Sequence, residues 1–263
     1  MTSVPAAPRF LDRHFRWRGT NVSRLESFSD AVFAIVLALL FLRSLPPESF
    51  AELEAAMKAL VPFAACFAIV AYVWVEHWLF SRRYDLHDGW TTFLNLLLLF
   101  LLLFYAYPLK YLFTLLFVGA FGPIGGTTVE TLTVGFDGAG DATRLFVFYG
   151  TGYGAMFVVL ALMYGRAAKF ADVLGLDVVE RYLTRSGRTQ ALLQAGVAAA
   201  SILLAVSGIG RGFGLPGWIY CLLGPLMAWH GMREGSHVQS LLATRSGSQA
   251  SAATSAGSAS SSP

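Results

Sequence analysis

An acid, Asp30, stands directly against the apolar run Ala31–Leu42 near the start of this chain. That run has 12 uncharged residues, about 18 Å of helix at 1.5 Å per residue. A hydrocarbon core about 30 Å thick needs roughly 20 residues to cross it. A helix that spans a membrane from here must therefore carry Ser29 and Asp30 inside the membrane or at its edge. An intramembrane carboxylate is costly, and it is a candidate functional site for that reason.

Helical geometry sorts the side chains of this stretch. At about 100° per residue, Arg24, Phe28, Ile35 and Leu42 fall within about 40° of one line. Ala31 and Ala38 flank the line on one side and Leu39 on the other. Asp30 points about 140° away from Ile35, and Ser29 about 120° away in the opposite sense. A lipid-facing aspartate is implausible, so its face is expected to pack on other helices. The apolar stripe could face lipid or an apolar surface of another kind.

Composition supports the membrane reading. Of 263 residues, 56% are hydrophobic and 13% charged, against about 25% charged in soluble domains. Cys66 and Cys221 both lie in apolar runs, which suggests buried thiols and no disulfide or metal framework. A cleaved signal peptide does not suit the first run, which begins late and lacks a small-residue cleavage site.

Six transmembrane helices follow from the pattern. The first runs from about 23 to 45 and stops at Pro46-Pro47. The second is opened by a capping box at Ser49-Phe50-Ala51-Glu52, is expected to kink at Pro62, and carries Glu76, His77 and Trp78 near its polar end. The third covers about 87–118, with Asn95 near its start and Pro108 and Lys110 further on. A Gly- and Thr-rich loop, 119–141, bears Glu130, Asp137 and Asp141, which read as solvated charges. The remaining spans are placed at about 142–164, 189–209 and 212–232. Three regions result: a basic cytoplasmic segment, 1–23; a six-helix transmembrane domain, 24–233; and a Ser/Ala/Gly-rich tail, 234–263, expected to be disordered.

Charge gives the orientation. With the N-terminus inside, 14 of the 19 basic residues fall in inner segments. The positive-inside rule then places both termini in the cytoplasm of a multi-pass cell-membrane protein.

Ser29, Asp30, His77 and Asn95 all lie near the inner ends of their helices, at one expected depth. A hydrogen-bonded cluster would satisfy every group there. A Ser-His-Asp hydrolase does not fit, because adjacent Ser29 and Asp30 diverge by about 100° on a helix; the chain is not expected to be an enzyme. Gly150-Thr-Gly-Tyr-Gly154 has the letters of a potassium filter. It lacks a re-entrant hairpin, and its spacing instead matches a GxxxG packing face. Small residues of 195–208 form a second such face.

The residues Arg24-x-x-x-Phe28-Ser29-Asp30 followed by Ala-Val-Phe-Ala-Ile resemble the first helix of the transmembrane protein 175 family. These are lysosomal potassium channels with short bacterial and archaeal members. Tyr72-Val-Trp74-Val-Glu-His77 resembles the family's second helix, and Asn95-Leu-Leu-Leu-Leu its third. The resemblance implies an all-α homotetrameric channel lined by the first helix. It implies that Ile35 forms the narrowest ring, that Leu42 forms a ring further out, and that Ala38 and Leu39 line the pore between. Arg24, Phe28, Ser29, Asp30, His77 and Asn95 would form the motif network behind it. Potassium would be the permeant ion, with no cofactor, no metal site and no nucleic-acid partner; partners are lipid and other copies of the chain. Proton conduction through the same pore is a close variant. Bacterial relatives often carry Thr where this chain has Ala38, which removes a hydroxyl from the ion path. The alternative from another class is a secondary transporter using Asp30 as an ion or proton site.

Overall fold

The computed structural model describes residues 14–41, 49–124, 127–134, 139–209 and 214–259. Nine α-helices follow one another among them: α1 Arg24–Phe41, α2 Phe50–Lys58, α3 Leu60–Tyr84, α4 Gly89–Phe121, α5 Val129–Leu132, α6 Ala139–Lys169, α7 Val178–Ser207, α8 Leu215–Trp218 and α9 Leu223–Ala259. Apart from one bridge between Ile124 and Thr127, no β-pairing occurs among the described residues.

Among the described residues, four helical segments are long and apolar enough to cross a membrane: Leu60–Tyr84, Gly89–Ala106, Gly140–Lys169 and Val178–Ser207. The described part of α1 is 18 residues and still includes Arg24, Glu26 and Asp30, and its expected continuation through Leu42 to 45 lies outside the described residues. The expected last span, 212–232, is not one helix. α8 is followed by a 3-10 turn, Ile219–Leu222, before α9 starts. Pro216 and Pro225 lack the N–H that a continuous ladder requires, and a tightened turn between them accommodates both. α9 then continues to Ala259, where composition led to an expectation of disorder. Five alanines lie between 246 and 259, and extending an existing helix through alanine is easier than nucleating one.

Local chemistry explains the other boundaries. Ser23 Oγ accepts from Glu26 N at 3.1 Å and caps α1. Ser49 Oγ accepts from Glu52 N at 3.2 Å and caps α2. The break at Ala59 between α2 and α3 lies one turn before Pro62, whose missing N–H leaves the Lys58 carbonyl without its ladder partner. Asp177 and Glu180 make a reciprocal capping box at the start of α7.

Helices α6 and α7 make the most extensive pairing, and α1 packs on α3 and α4. A Cβ on Gly150 would meet the Ile202 side chain at 2.5 Å, and one on Gly154 would meet Ala198 Cβ at 3.2 Å. The GxxxG pattern is thus a close-approach face against α7. Gly152 faces the other way, where an added Cβ would lie 2.3 Å from the Tyr105 ring of α4.

Residues 14–23 dock onto the ends of α3 and α7. Backbone N–H groups of Arg18 and Gly19 donate to the Arg82 carbonyl at 3.0 and 3.1 Å. The Arg18 guanidinium pairs with Glu180 at 2.8 Å. Phe15 is buried beneath Arg18 and Arg83.

Candidate functional site: the face of α1 and the buried chain behind it

One side of α1 is built to be covered by its own chain. Glu26, Ser29, Phe33, Val36 and Leu40 are buried, a spacing of three and four residues that makes one helical stripe. Glu26 pairs with Arg82 of α3 at 3.2 Å. Near the other end, Lys110 Nζ of α4 donates to the Leu40 carbonyl at 2.9 Å, giving a cation to a carbonyl in the last turn of α1.

The opposite side is bare in the protomer. Arg24, Phe28, Ala31, Ile35, Ala38 and Leu39 are all exposed, with Ile35 at 53% and Leu39 at 54%. This is the stripe that the 100° rotation placed on one line. Leu42 lies outside the described residues.

A directed hydrogen-bond chain ties three helices together behind that stripe. Asn95 Oδ1 of α4 accepts from His77 Nε2 of α3 at 2.6 Å. Asn95 Nδ2 donates to Ser29 Oγ of α1 at 3.2 Å. Ser29 Oγ in turn donates to the Leu25 carbonyl at 2.8 Å. His77, Asn95 and Ser29 are each at most 3% exposed. Because an amide oxygen only accepts, Nε2 carries the proton and Nδ1 is the free acceptor of the neutral ring. Nδ1 is buried with no partner among the described residues. His77 also lines a cavity of about 30 Å³, large enough for one water.

Asp30, Arg24 and Phe28 do not enter this chain. Asp30 is exposed, and its carboxylate accepts from Trp74 Nε1 of α3 at 2.9 Å. The expected contact of Asp30 with Ser29, His77 or Asn95 is therefore corrected. One residue of helix turns Asp30 about 100° from Ser29, onto a different neighbour. Arg24 and Phe28 stay on the exposed stripe for the same reason. Trp74 also stacks on Trp78, with ring centroids 6.3 Å apart, and Trp78 meets Trp17 edge-on at 5.5 Å.

Trp74 is the partner that sequence reasoning missed. The signal was available: an indole N–H at membrane depth needs an acceptor, and Asp30 needs a donor. A second polar layer was also missed. Tyr72 of α3 accepts from Gln190 and Gln194 of α7 at 2.8 Å each. Tyr153 of α6 donates to Gln194 Oε1 at 2.5 Å, and Tyr164 donates to Glu76 at 2.8 Å. The hydroxyls and amides of this layer satisfy one another, which is what burial of polar groups demands.

Asp88, just ahead of α4, holds the start of α4 to the end of α6. Arg166 donates to it at 2.9 Å, and the Thr91 hydroxyl donates to its other oxygen. Partial burial raises its carboxyl, but the bonds from Thr91 and then Arg166 outweigh this and hold it below the usual carboxylate range.

The family described as endosomal/lysosomal potassium channel TMEM175 matches residues 24–105, the segment that supplies Ser29, Asp30, Trp74, His77 and Asn95. A protein of Marivirga tractuosa named potassium channel is 38% identical over 220 residues, covering 82% of this chain and 89% of that protein. The chain belongs to the TMEM175 family. A crystal structure of a threonine-to-alanine variant of the potassium channel MtTMEM175, in complex with a Nanobody-MBP fusion protein, is similar with a TM-score of 0.73 and 38% identity. It covers 86% of this chain and 99% of that one. A lysosomal potassium-selective channel TMEM175 homolog from Chamaesiphon minutus shares the fold at a TM-score of 0.51 and 21% identity, over 80% of this chain and 96% of that one. This TMEM175-family protein is thus an all-helical membrane protein.

Proposed function

We propose that this chain is the subunit of a homotetrameric, potassium-permeable cation channel in a cell membrane, with six spans and both termini cytoplasmic. Four copies of α1 surround the pore. Ile35 makes the apolar constriction, Ala38 and Leu39 line the path beyond it, and Leu42 makes an outer ring. The observation that carries this reading is the two-sidedness of α1. On the inside Ser29 is bonded by Asn95 and Glu26 is paired with Arg82, while Phe28, Ile35 and Leu39 stay exposed on the other side. An apolar ring of this kind controls permeation by excluding water until it widens. The family match and the potassium-channel relatives support the choice of ion. Asp30 is satisfied by Trp74, beside the stripe and off the axis. In the tetramer this pair sits toward the neighbouring subunit.

The decisive experiment is flux from liposomes loaded with potassium and containing the purified protein, paired with its oligomeric mass in detergent. Potassium release from a fourfold oligomer is expected. A monomeric protein, or flux that is saturable and coupled to a proton gradient, sinks the channel in favour of a transporter.

A further inference from the structure

A cleft separate from α1 lies where the start of α4, the end of α6 and the first half of α7 meet. Its volume is about 150 Å³, and Trp90, Leu162, Gly165, Arg166, Lys169 and Arg188 line it. Sites for drug-sized molecules are usually about 300–1,000 Å³, so this one suits a small charged group. Its chemistry is cationic. Arg166 is paired with Asp88, which leaves Lys169 and Arg188 without an ion pair among the described residues. The Arg166 Nε is buried and has no hydrogen-bond partner there. Gly165 makes the floor: a Cβ built there would lie 3.6 Å from Arg188 Nε, in ordinary van der Waals contact, so the guanidinium lies directly across α6 at this point.

The walls are apolar and open outward. Trp90 stacks on Phe93 with centroids 5.5 Å apart, and both are about half exposed. Leu162, and Val158 one turn along α6, are also exposed. Cations at one end of an apolar rail, beside a tryptophan, form the pattern by which basic pockets between membrane helices hold anionic headgroups. The positive-inside orientation puts these cations at the cytoplasmic face.

We propose that the cleft formed by Arg166, Lys169 and Arg188 binds the phosphate headgroup of an anionic phospholipid of the inner leaflet, with its acyl chains along Leu162, Val158 and Phe93. Only the choice of leaflet rests on the orientation proposed above. Arg166 and Arg188 supply planar donors suited to phosphate oxygens, and Lys169 adds a mobile ammonium at the rim.

Native mass spectrometry of the detergent-purified protein tests this, with palmitoyl-oleoyl phosphatidylglycerol titrated against phosphatidylcholine of the same chains. The wild type should retain the phosphatidylglycerol preferentially. Each removed charge should weaken retention about fivefold, so Lys169→Gln with Arg188→Gln should weaken it about 25-fold. Gly165→Leu, which fills the cleft and keeps every charge, should also lose the lipid. Equal retention of the two lipids overturns the proposal, as does undiminished phosphatidylglycerol binding by the double variant. Displacement of the lipid by inorganic phosphate at equal concentration would assign the cleft to free phosphate and likewise overturn it. None of these readouts depends on ion conduction, so failure here is distinct from failure of the channel reading.

Discussion

His77 donates to the side-chain oxygen of Asn95 across 2.6 Å, and both are buried. The same amide gives its nitrogen to Ser29, so one residue of α4 fixes both α3 and α1. Asn95→Ala strips a partner from each neighbour. Leaving buried polar groups unmade costs about 1–3 kcal/mol each, so a loss at the upper end is expected in thermal denaturation of the detergent-solubilised protein. Ser29→Ala, which orphans only Asn95 Nδ2, should cost less. Equal losses would mean that the chain does not run through Asn95.

Asp30 and Trp74 are joined at a surface that the protomer leaves exposed. Asp30→Ala should therefore reduce the fraction of detergent-resistant oligomer while leaving the monomer helical by circular dichroism. Asp30→Asn keeps an acceptor for the indole and should retain most of the oligomer. Size-exclusion chromatography with light scattering separates the two. Altered ion selectivity with a normal oligomer would place Asp30 on the ion path.

Ile35→Asn should keep the fold, because Ile35 is exposed in the protomer, and should raise leak current by wetting the proposed constriction. Ala38→Thr should raise potassium preference over sodium by restoring an oxygen near the ion. Reversal potentials under biionic conditions read both. Unchanged conductance in Ile35→Asn would remove α1 from the gate.

Two glycines make an internal control on the packing. Gly152→Ala drives a methyl to within 2.3 Å of the Tyr105 ring, whose hydroxyl is held by the Tyr149 carbonyl at 3.0 Å. Overpacking of this kind costs about 1–3 kcal/mol. Gly196 has open space at its Cβ position, so Gly196→Ala should stabilise α7 by about 0.5–1 kcal/mol. Melting temperatures should move in opposite directions.

Asp88 provides a pH test. Its carboxyl is held below the ordinary value of 3.8. A depressed folded value contributes stability that is complete above the unfolded value and is lost as pH falls through the folded one. The wild type should thus melt above Asp88→Asn at neutral pH, and the gap should close only in acid below the usual carboxylate range. A gap that persists there would mean that the contact with Arg166 is not ionic.

The sequence made legible what depends on one helix alone. Rotation by 100° per residue separated Ile35 from Ser29 and from Asp30, and equal depth grouped Ser29 with His77 and Asn95. It could not say which neighbour Asp30 meets, because that depends on the register of α1 against α3. Tyr72, Gln190, Gln194 and Tyr153 went unread for the same reason: they come from three helices and share no local pattern. The break in the last span is legible in principle, since Pro216 and Pro225 bracket it, but the apolar run around them has the pattern of one continuous span. The helical stretch beyond 246 reflects cooperativity, which composition does not register.

Helix α1 is fastened at both ends to the body of its own subunit, by Glu26 to Arg82 of α3 at 3.2 Å and by the Leu40 carbonyl to Lys110 of α4 at 2.9 Å. It resembles a beam clamped at each support, with Ser29 and Asn95 as a third fixing near one end. Sliding or spinning such a beam means breaking a fixing, whereas tilting the whole subunit breaks none. In the proposed tetramer the aperture would then change as an iris does, by the leaves moving as rigid pieces.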